Sequence, residues 1–197
     1  AYSLVDWRGY EGYEPGDNVV HIFALGSLVT EALGASERLL EMGIMANVIV
    51  ITSQDLLLGI QGHETGYRHL IEGLSINADL HAVPTSDVSS TEVVSLAARR
   101  VPLVAVCDGE AGLVDNIGSI VGVKQRTLGV RKFSKCGRPS EIYHLQEIDA
   151  TAIVDACGQV LSETALEDLQ LSPALLQQLA GKPAAAKEDW RTLWKQS

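Results

Sequence analysis

Residues 128–143 read LGVRKFSKCGRPSEIY, and residues 149–156 read DATAIVDA. The apolar beginning is typical of a buried strand, and a loop containing serine and glycine follows it. Pro139 favours the first turn of a short helix, because its ring presets φ and that position needs no N–H donor. Asp149 is a common N-cap residue and indicates the start of a second helix. The two segments therefore predict a strand, a loop and two helices.

Strands and helices alternate in the same way through the preceding chain. The run Val48-Ile49-Val50-Ile51 is apolar without alternation, which is typical of a parallel strand covered on both faces. Apolar runs predict strands over residues 18–25, 47–51, 103–106 and 127–130. Periodicity and capping residues predict helices over residues 28–42, 86–100, 112–121 and 149–161, with a shorter one within 67–74. The prediction is a three-layer α/β/α sandwich with a mostly parallel sheet of about five strands.

Composition limits the size, partners and location of the protein. The 197 residues, 46% of them hydrophobic, suffice for one globular domain with flanking segments. The formal net charge of -10 repels phosphate backbones, so we expect no nucleic-acid partner. No apolar run approaches the ~20 residues of a membrane span, so we expect no membrane contact. Cys107, Cys136 and Cys157 have no CxxC spacing, which favours free thiols in the cytoplasm.

The chain divides into three predicted parts. Residues 1–17 have no regular period and are predicted to be an entering linker, whose start at Ala1 instead of methionine fits a fragment. Residues 18–163 form the predicted domain. Residues 164–197 are predicted to be a helical extension and tail, in which Trp190 and Trp194 belong to a short apolar stripe. Such a stripe more often packs on its own domain or a partner than binds a cofactor.

Two candidate ligand sites fail on spacing. Gly26-Ser27 follows a predicted strand where backbone N–H groups could bind phosphate, but the two further glycines of a dinucleotide-binding turn are missing. We expect a plain strand-to-helix turn there. His63-Glu64 and His69 resemble a zinc pair, but a separation of six residues places the two imidazoles on different helix faces. We therefore predict no metal ligand.

Cys107 is the main catalytic alternative. If it lies at a sharp turn from a buried strand into a helix, its sulfur would stand beside backbone N–H groups able to hold an oxyanion. His144 or another histidine could then serve as the base, which would make the protein a cysteine-dependent hydrolase or amidotransferase. A buried cysteine is also a common core residue. A third alternative is a non-catalytic partner-binding module that uses Trp190 and Trp194.

Several ordered segments resemble one family, the transketolase-like thiamine diphosphate enzymes. Residues 23–32 resemble the first strand, glycine turn and helix of the family's C-terminal domain, and residues 103–109 resemble a later strand. Residues 128–156 are most similar, with Phe133 and Pro139 in the expected order. The similarity covers roughly residues 18–160. Ile51-Thr52-Ser53 and the long connection after it also resemble the homodimeric 2-oxo-acid (pyruvate) dehydrogenase first component.

The resemblance implies a C-terminal domain that does not itself hold thiamine diphosphate or magnesium. In the family, a Gly-Asp-Gly motif of another domain holds the diphosphate and the metal, whereas Asp108-Gly109 follows Cys107 instead of glycine. The implied partners are the preceding domains, a second subunit of a homodimer and possible other subunits of a dehydrogenase complex. We assign no catalytic, cofactor-binding or metal-binding residue and expect the isolated chain to be inactive.

Overall fold

The computed structural model describes residues 1–58, 66, 68–76 and 100–170, with the backbone alone described for 165–170. Residues Ala1–Ala165 form one compact unit. The strands are β1 (Tyr2–Val5), β2 (Val19–Leu25), β3 (Met45–Ile51), β4 (Leu103–Glu110) and β5 (Gln125–Val130). The helices are α1 (Val29–Glu41), α2 (Gln54–Leu58), α3 (Ile117–Val121), α4 (Pro139–Gln146) and α5 (Ala150–Gln170). Shorter helical turns are Gly26–Leu28, His69–Gly73 and Ala111–Leu113.

The strands form one sheet in the order β1-β3-β2-β4-β5. β2 pairs in parallel with β3 and β4, and β4 pairs in parallel with β5, whereas β1 is antiparallel to β3. The mostly parallel five-stranded sheet predicted from the sequence is thereby confirmed. At the β5 edge, the guanidinium of Arg131 donates a hydrogen bond from Nη2 to the carbonyl oxygen of Thr127 at 2.9 Å.

Buried side chains cover both faces of the sheet. Successive residues of a strand point to opposite faces, and Ile22 and Phe23 of β2 accordingly belong to two different buried clusters. Leu39 of α1 and Ile153 of α5 pack on the Ile22 side. The turn His69–Gly73 packs on the Phe23 side together with α3. These two layers around the sheet are the α/β/α arrangement expected from the sequence.

The first residues of the chain pair with the sheet, although their sequence shows no strand pattern. Tyr2 of β1 lies opposite Val50 of β3. A little further on, the backbone N–H of Trp7 donates to Oδ1 of Asn47 at 2.7 Å. Pairing with distant residues outweighs the weak local preference of this segment. The domain boundaries after residues 17 and 163 stay predictions.

Several element bounds differ from the predicted ones. β4 continues to Glu110, and α3 begins only at Ile117 because Ala111–Leu113 forms a separate turn. α5 continues to Gln170. The predicted helix over residues 86–100 falls outside the described residues except for its last one, and the tail with Trp190 and Trp194 lies wholly outside them. None of the helices described is long and apolar enough to cross a membrane.

Candidate functional site

The carboxyl ends of β2 and β4 lie side by side, and the residues that follow them form the candidate site. In parallel α/β sheets, this end is where ligands usually bind. β2 leads through the turn Gly26–Leu28 into α1, and β4 ends in Cys107-Asp108-Gly109-Glu110. The candidate residues Gly26, Ser27, Cys107 and Asp108 therefore come together at one end of the sheet.

Asp108 occupies the turn that leads into α1. Its Oδ2 accepts a hydrogen bond from the backbone N–H of Ser27 at 2.8 Å. Gly26 has φ +75°, and a Cβ added there would lie 2.3 Å from Oδ1 of Asp108. Glycine thus permits both the left-handed backbone and the close approach of the carboxylate. A negative charge is favourable at the start of a helix, so the chain's own carboxylate takes the position considered for a phosphate.

The side chain of Ser27 connects this turn to α4. Its Oγ lies 2.7 Å from the hydroxyl oxygen of Tyr143, within hydrogen-bonding distance. The ring of Tyr143 packs against the buried cluster on the Ile22 side of the sheet. A contact between residues far apart in sequence therefore fixes the position of α4 relative to the turn before α1.

The start of α5 is fixed by two carboxylates. Oδ1 of Asp149 accepts a hydrogen bond from the N–H of Ala152 at 3.0 Å, so the N-cap predicted at Asp149 is confirmed. Oε2 of Glu31 on α1 accepts from the N–H of Ala150 at 2.8 Å. Together they satisfy two of the N–H groups that a helix start leaves without intrahelical partners.

His144 pairs with Asp149 at the surface. Its Nδ1 lies 3.0 Å from Oδ2 of Asp149, and the imidazole is 82% exposed. Partial burial opposes ionisation of Asp149, but the Ala152 N–H and the His144 ring outweigh it and hold the pKa of the carboxyl below its usual value. The histidine considered as a catalytic base thus has a carboxylate partner close to the start of α5.

Cys107 lies inside β4. The strand continues past it to Glu110, so the sharp elbow proposed at Cys107 is wrong. The sulfur is fully buried and lies 3.4 Å from the carbonyl oxygens of Gly109 and Glu110, which act as hydrogen-bond acceptors. Burial raises the pKa of the thiol, and the nearby Asp108 carboxylate raises it further. Because the thiolate is the nucleophile, these surroundings suit a core cysteine.

Of the candidate metal ligands, His69 alone lies within the described residues. Nε2 of His69 lies 2.7 Å from the carbonyl oxygen of Ala1, which makes the ring nitrogen the donor. His63 and Glu64 lie outside the described residues. Within residues 1–58, 66, 68–76 and 100–170, no group of three or more His, Cys, Asp or Glu side chains could hold a metal ion. Asp108 belongs to no such group, and its Oδ2 accepts a hydrogen bond from the backbone N–H of Ser27, so its surroundings do not fit a magnesium–diphosphate site.

The sequence does not predict the contacts that close the candidate site. Ser27 and Tyr143 are 116 residues apart, and Glu31 and Ala150 are 119 residues apart. No local motif signals such pairs. The sequence shows that Asp108 follows an apolar run, but its position over the turn at Gly26 depends on the pairing of β2 with β4.

No protein-family model and no curated protein sequence matches this chain. Solved structures similar to it include a split-gene transketolase described as an inactive beta4 tetramer, with 20% identity, a TM-score of 0.48, and coverage of 76% of this chain and 44% of that chain. A transketolase mutant from Pichia stipitis has 20% identity and a TM-score of 0.44, covering 82% and 18%. Transketolase from Leishmania mexicana has 16% identity and a TM-score of 0.46, covering 83% and 18%. The chain thus spans less than half the length of each.

Proposed function

We propose that this chain is the C-terminal domain of a thiamine diphosphate-dependent enzyme of the transketolase or 2-oxo-acid (pyruvate) dehydrogenase type. The supporting observation is the segment from β5 to α5, which resembles that family and has the predicted order of strand, loop and two helices. Hydrogen bonds also join the segment to the turn before α1, through Tyr143 and Ser27, and to α1, where Glu31 accepts from the N–H of Ala150. The resembling residues are thus parts of the framework that joins α4 and α5 to the first strand-helix unit.

The proposed role is structural. The carboxyl end of the sheet is closed by the chain's own groups, because Asp108 occupies the turn before α1 and Tyr143 bonds to Ser27. The reaction, the diphosphate cofactor and its magnesium ion would belong to the other domains of the parent enzyme. This domain would pack against the pyrimidine-binding domain and contribute to the homodimer.

The proposal extends to partners and location. Contacts with other subunits of a dehydrogenase complex would apply if the parent is of the pyruvate dehydrogenase type. A cytoplasmic parent fits the three cysteines, all of which are free thiols. The transketolase and dehydrogenase alternatives share the same domain, so the choice between them depends on residues of the parent enzyme.

Titration calorimetry of the chain with thiamine diphosphate and magnesium tests the proposal. We expect no binding heat, because Oδ2 of Asp108 accepts a hydrogen bond from the Ser27 N–H and the described residues contain no group of three or more potential metal ligands. An Asp108→Asn variant serves as the matched comparison. Tight, magnesium-dependent binding that this variant abolishes would refute the proposal, since the cofactor would then bind to this domain itself.

A second test reads the coding sequence upstream of Ala1. The proposal expects a Gly-Asp-Gly motif followed at a distance by an asparagine, the residues that hold magnesium and diphosphate in the family. An upstream reading frame that encodes a different type of domain would contradict it, whatever the calorimetry shows.

A further inference from the structure

Residues 131–138 form a basic loop between β5 and α4. They include four of the chain's 15 lysines and arginines and none of its 25 aspartates and glutamates. Every residue of the basic loop is exposed, and the ring of Phe133 is 98% exposed. An aromatic ring in water forgoes the stabilisation that burial provides. A positive loop with a bare aromatic ring on a strongly acidic protein is typical of a contact surface.

The basic loop is held at both ends. Near the start of the loop, the buried side chain of Gln146 accepts a hydrogen bond from the N–H of Lys132 at 3.3 Å. The same side chain donates a hydrogen bond to the carbonyl oxygen of Lys132 at 3.0 Å. At its end, Glu141 accepts from the N–H of Arg138 at 3.1 Å. Anchored ends reduce the conformational entropy that the loop would lose on meeting a partner.

A complementary surface lies elsewhere on the same chain. Residues 10–17 form an acidic segment that reads YEGYEPGD and contains no lysine or arginine. Its three carboxylate residues are exposed, and Tyr10 is 61% exposed. The side chain of Asn18 fixes the segment by donating to the carbonyl oxygen of Gly12 at 2.9 Å and accepting from the N–H of Glu14 at 3.1 Å. The acidic segment is therefore also held in place before any contact.

The two surfaces cannot meet within one molecule. The acidic segment precedes β2 and so lies at the amino end of the parallel strands, while the basic loop follows β5 and lies at their carboxyl end. A strand of seven residues such as β2 is about 23 Å long at ~3.3 Å per residue. β2 and β5 are also separated by β4. A contact between these surfaces must therefore join two molecules.

We infer that the basic loop binds the acidic segment of a second copy of this chain. When two copies lie antiparallel, each offers its loop to the other's segment, so the contact is made twice about one two-fold axis. Lys135 and Arg138 face the carboxylates of the segment, because Lys132 is already paired with Glu147 of its own chain. Phe133 packs on the exposed part of Tyr10, whose ring also contacts Trp7. The inference does not depend on the proposed parent enzyme, because both surfaces belong to this chain.

Charge-reversal variants test this pairing directly. The loop variant is Lys135→Glu/Arg138→Glu, and the segment variant is Glu11→Lys/Glu14→Lys. Each variant alone places like charges at both contacts, whereas an equimolar mixture restores opposite charges at both. Sedimentation equilibrium at chain concentrations up to about 1 mM covers the affinities of weak contacts. We expect the wild type and the mixture to associate, and each variant alone to remain monomeric.

Two further variants separate this contact from other causes. Phe133→Ser should weaken association about tenfold, because it removes the central aromatic ring and leaves the loop charges unchanged. Glu37→Lys/Glu41→Lys changes the net charge as much as the segment variant does, but on the exposed side of α1, and should leave association unchanged. Far-UV circular dichroism checks that every variant is folded. A monomeric wild type, a monomeric mixture or an equal loss in the α1 variant would overturn the inference.

Discussion

Lowering the pH from 7 to 5 should destabilise this protein through one buried histidine. His21 of β2 is 4% exposed, and burial, with a smaller contribution from the charge of Arg8, lowers its pKa from 6.5 to about 4. Its Nδ1 lies 3.3 Å from Nδ2 of Asn47 and accepts a hydrogen bond from that amide when the ring is neutral. Protonation would remove this acceptor and place a charge in the core.

The direction and size of this change in stability follow from the pKa values of His21 in the unfolded and folded chain. Below pH 6.5 the unfolded chain binds a proton at His21 that the folded chain does not bind until about pH 4, so stability falls between these limits. The difference between the two pKa values corresponds to about 3 kcal/mol. Between pH 7 and pH 5, the same relation gives a loss of about 2 kcal/mol in the free energy of unfolding.

Urea unfolding followed by tryptophan fluorescence at pH 7 and pH 5 measures this loss. The variant His21→Gln has no titrating group at this position, so its stability should change by about 2 kcal/mol less than that of the wild type. His144→Gln is the matched control, because that imidazole is exposed and its removal should leave most of the pH dependence in place. The reasoning fails if His21→Gln loses as much stability between the two pH values as the wild type does.

Two other predictions concern the candidate site. Gly26→Ala should lower the free energy of unfolding by about 2 to 4 kcal/mol, since its Cβ adds to left-handed strain by displacing the Asp108 carboxylate from the N–H of Ser27. Gly9→Ala, at φ +85° with no atom within 4 Å of the added Cβ, should cost about 1 to 2 kcal/mol, and equal losses would contradict the Asp108 contact. In alkylation with iodoacetamide mapped by mass spectrometry, exposed Cys136 should react quickly and buried Cys107 slowly. Rapid modification of Cys107 in the folded protein would revive the cysteine-dependent alternative.

The central strands were predictable because local composition and tertiary role agree in them. The run Val48–Ile51 is apolar throughout, and β3 is indeed covered on both faces. The N-cap at Asp149 and the helix start at Pro139 were also predictable from the sequence, because both depend on backbone geometry within one helical turn. Such signals concern neighbours in sequence.

The first strand and the closure of the candidate site were not predictable, because both depend on contacts between residues that are distant in sequence. β1 depends on β3, more than forty residues away, and its own four residues carry no clear pattern. The end of the apolar run near Cys107 favours an elbow there, but strand pairing with β5 continues as far as Glu110. Only the assembled sheet shows that Asp108 lies over the turn before α1.

The hydrogen bond from Arg131 to the carbonyl oxygen of Thr127 bears on how the protein behaves in concentrated solution. β5 is an edge strand, and an unpaired edge can template the addition of strands from other molecules. A guanidinium that occupies one of its acceptors, with a positive charge beside it, makes the edge a poorer template. Arg131, the first residue of the basic loop, therefore disfavours the addition of foreign strands at the β5 edge.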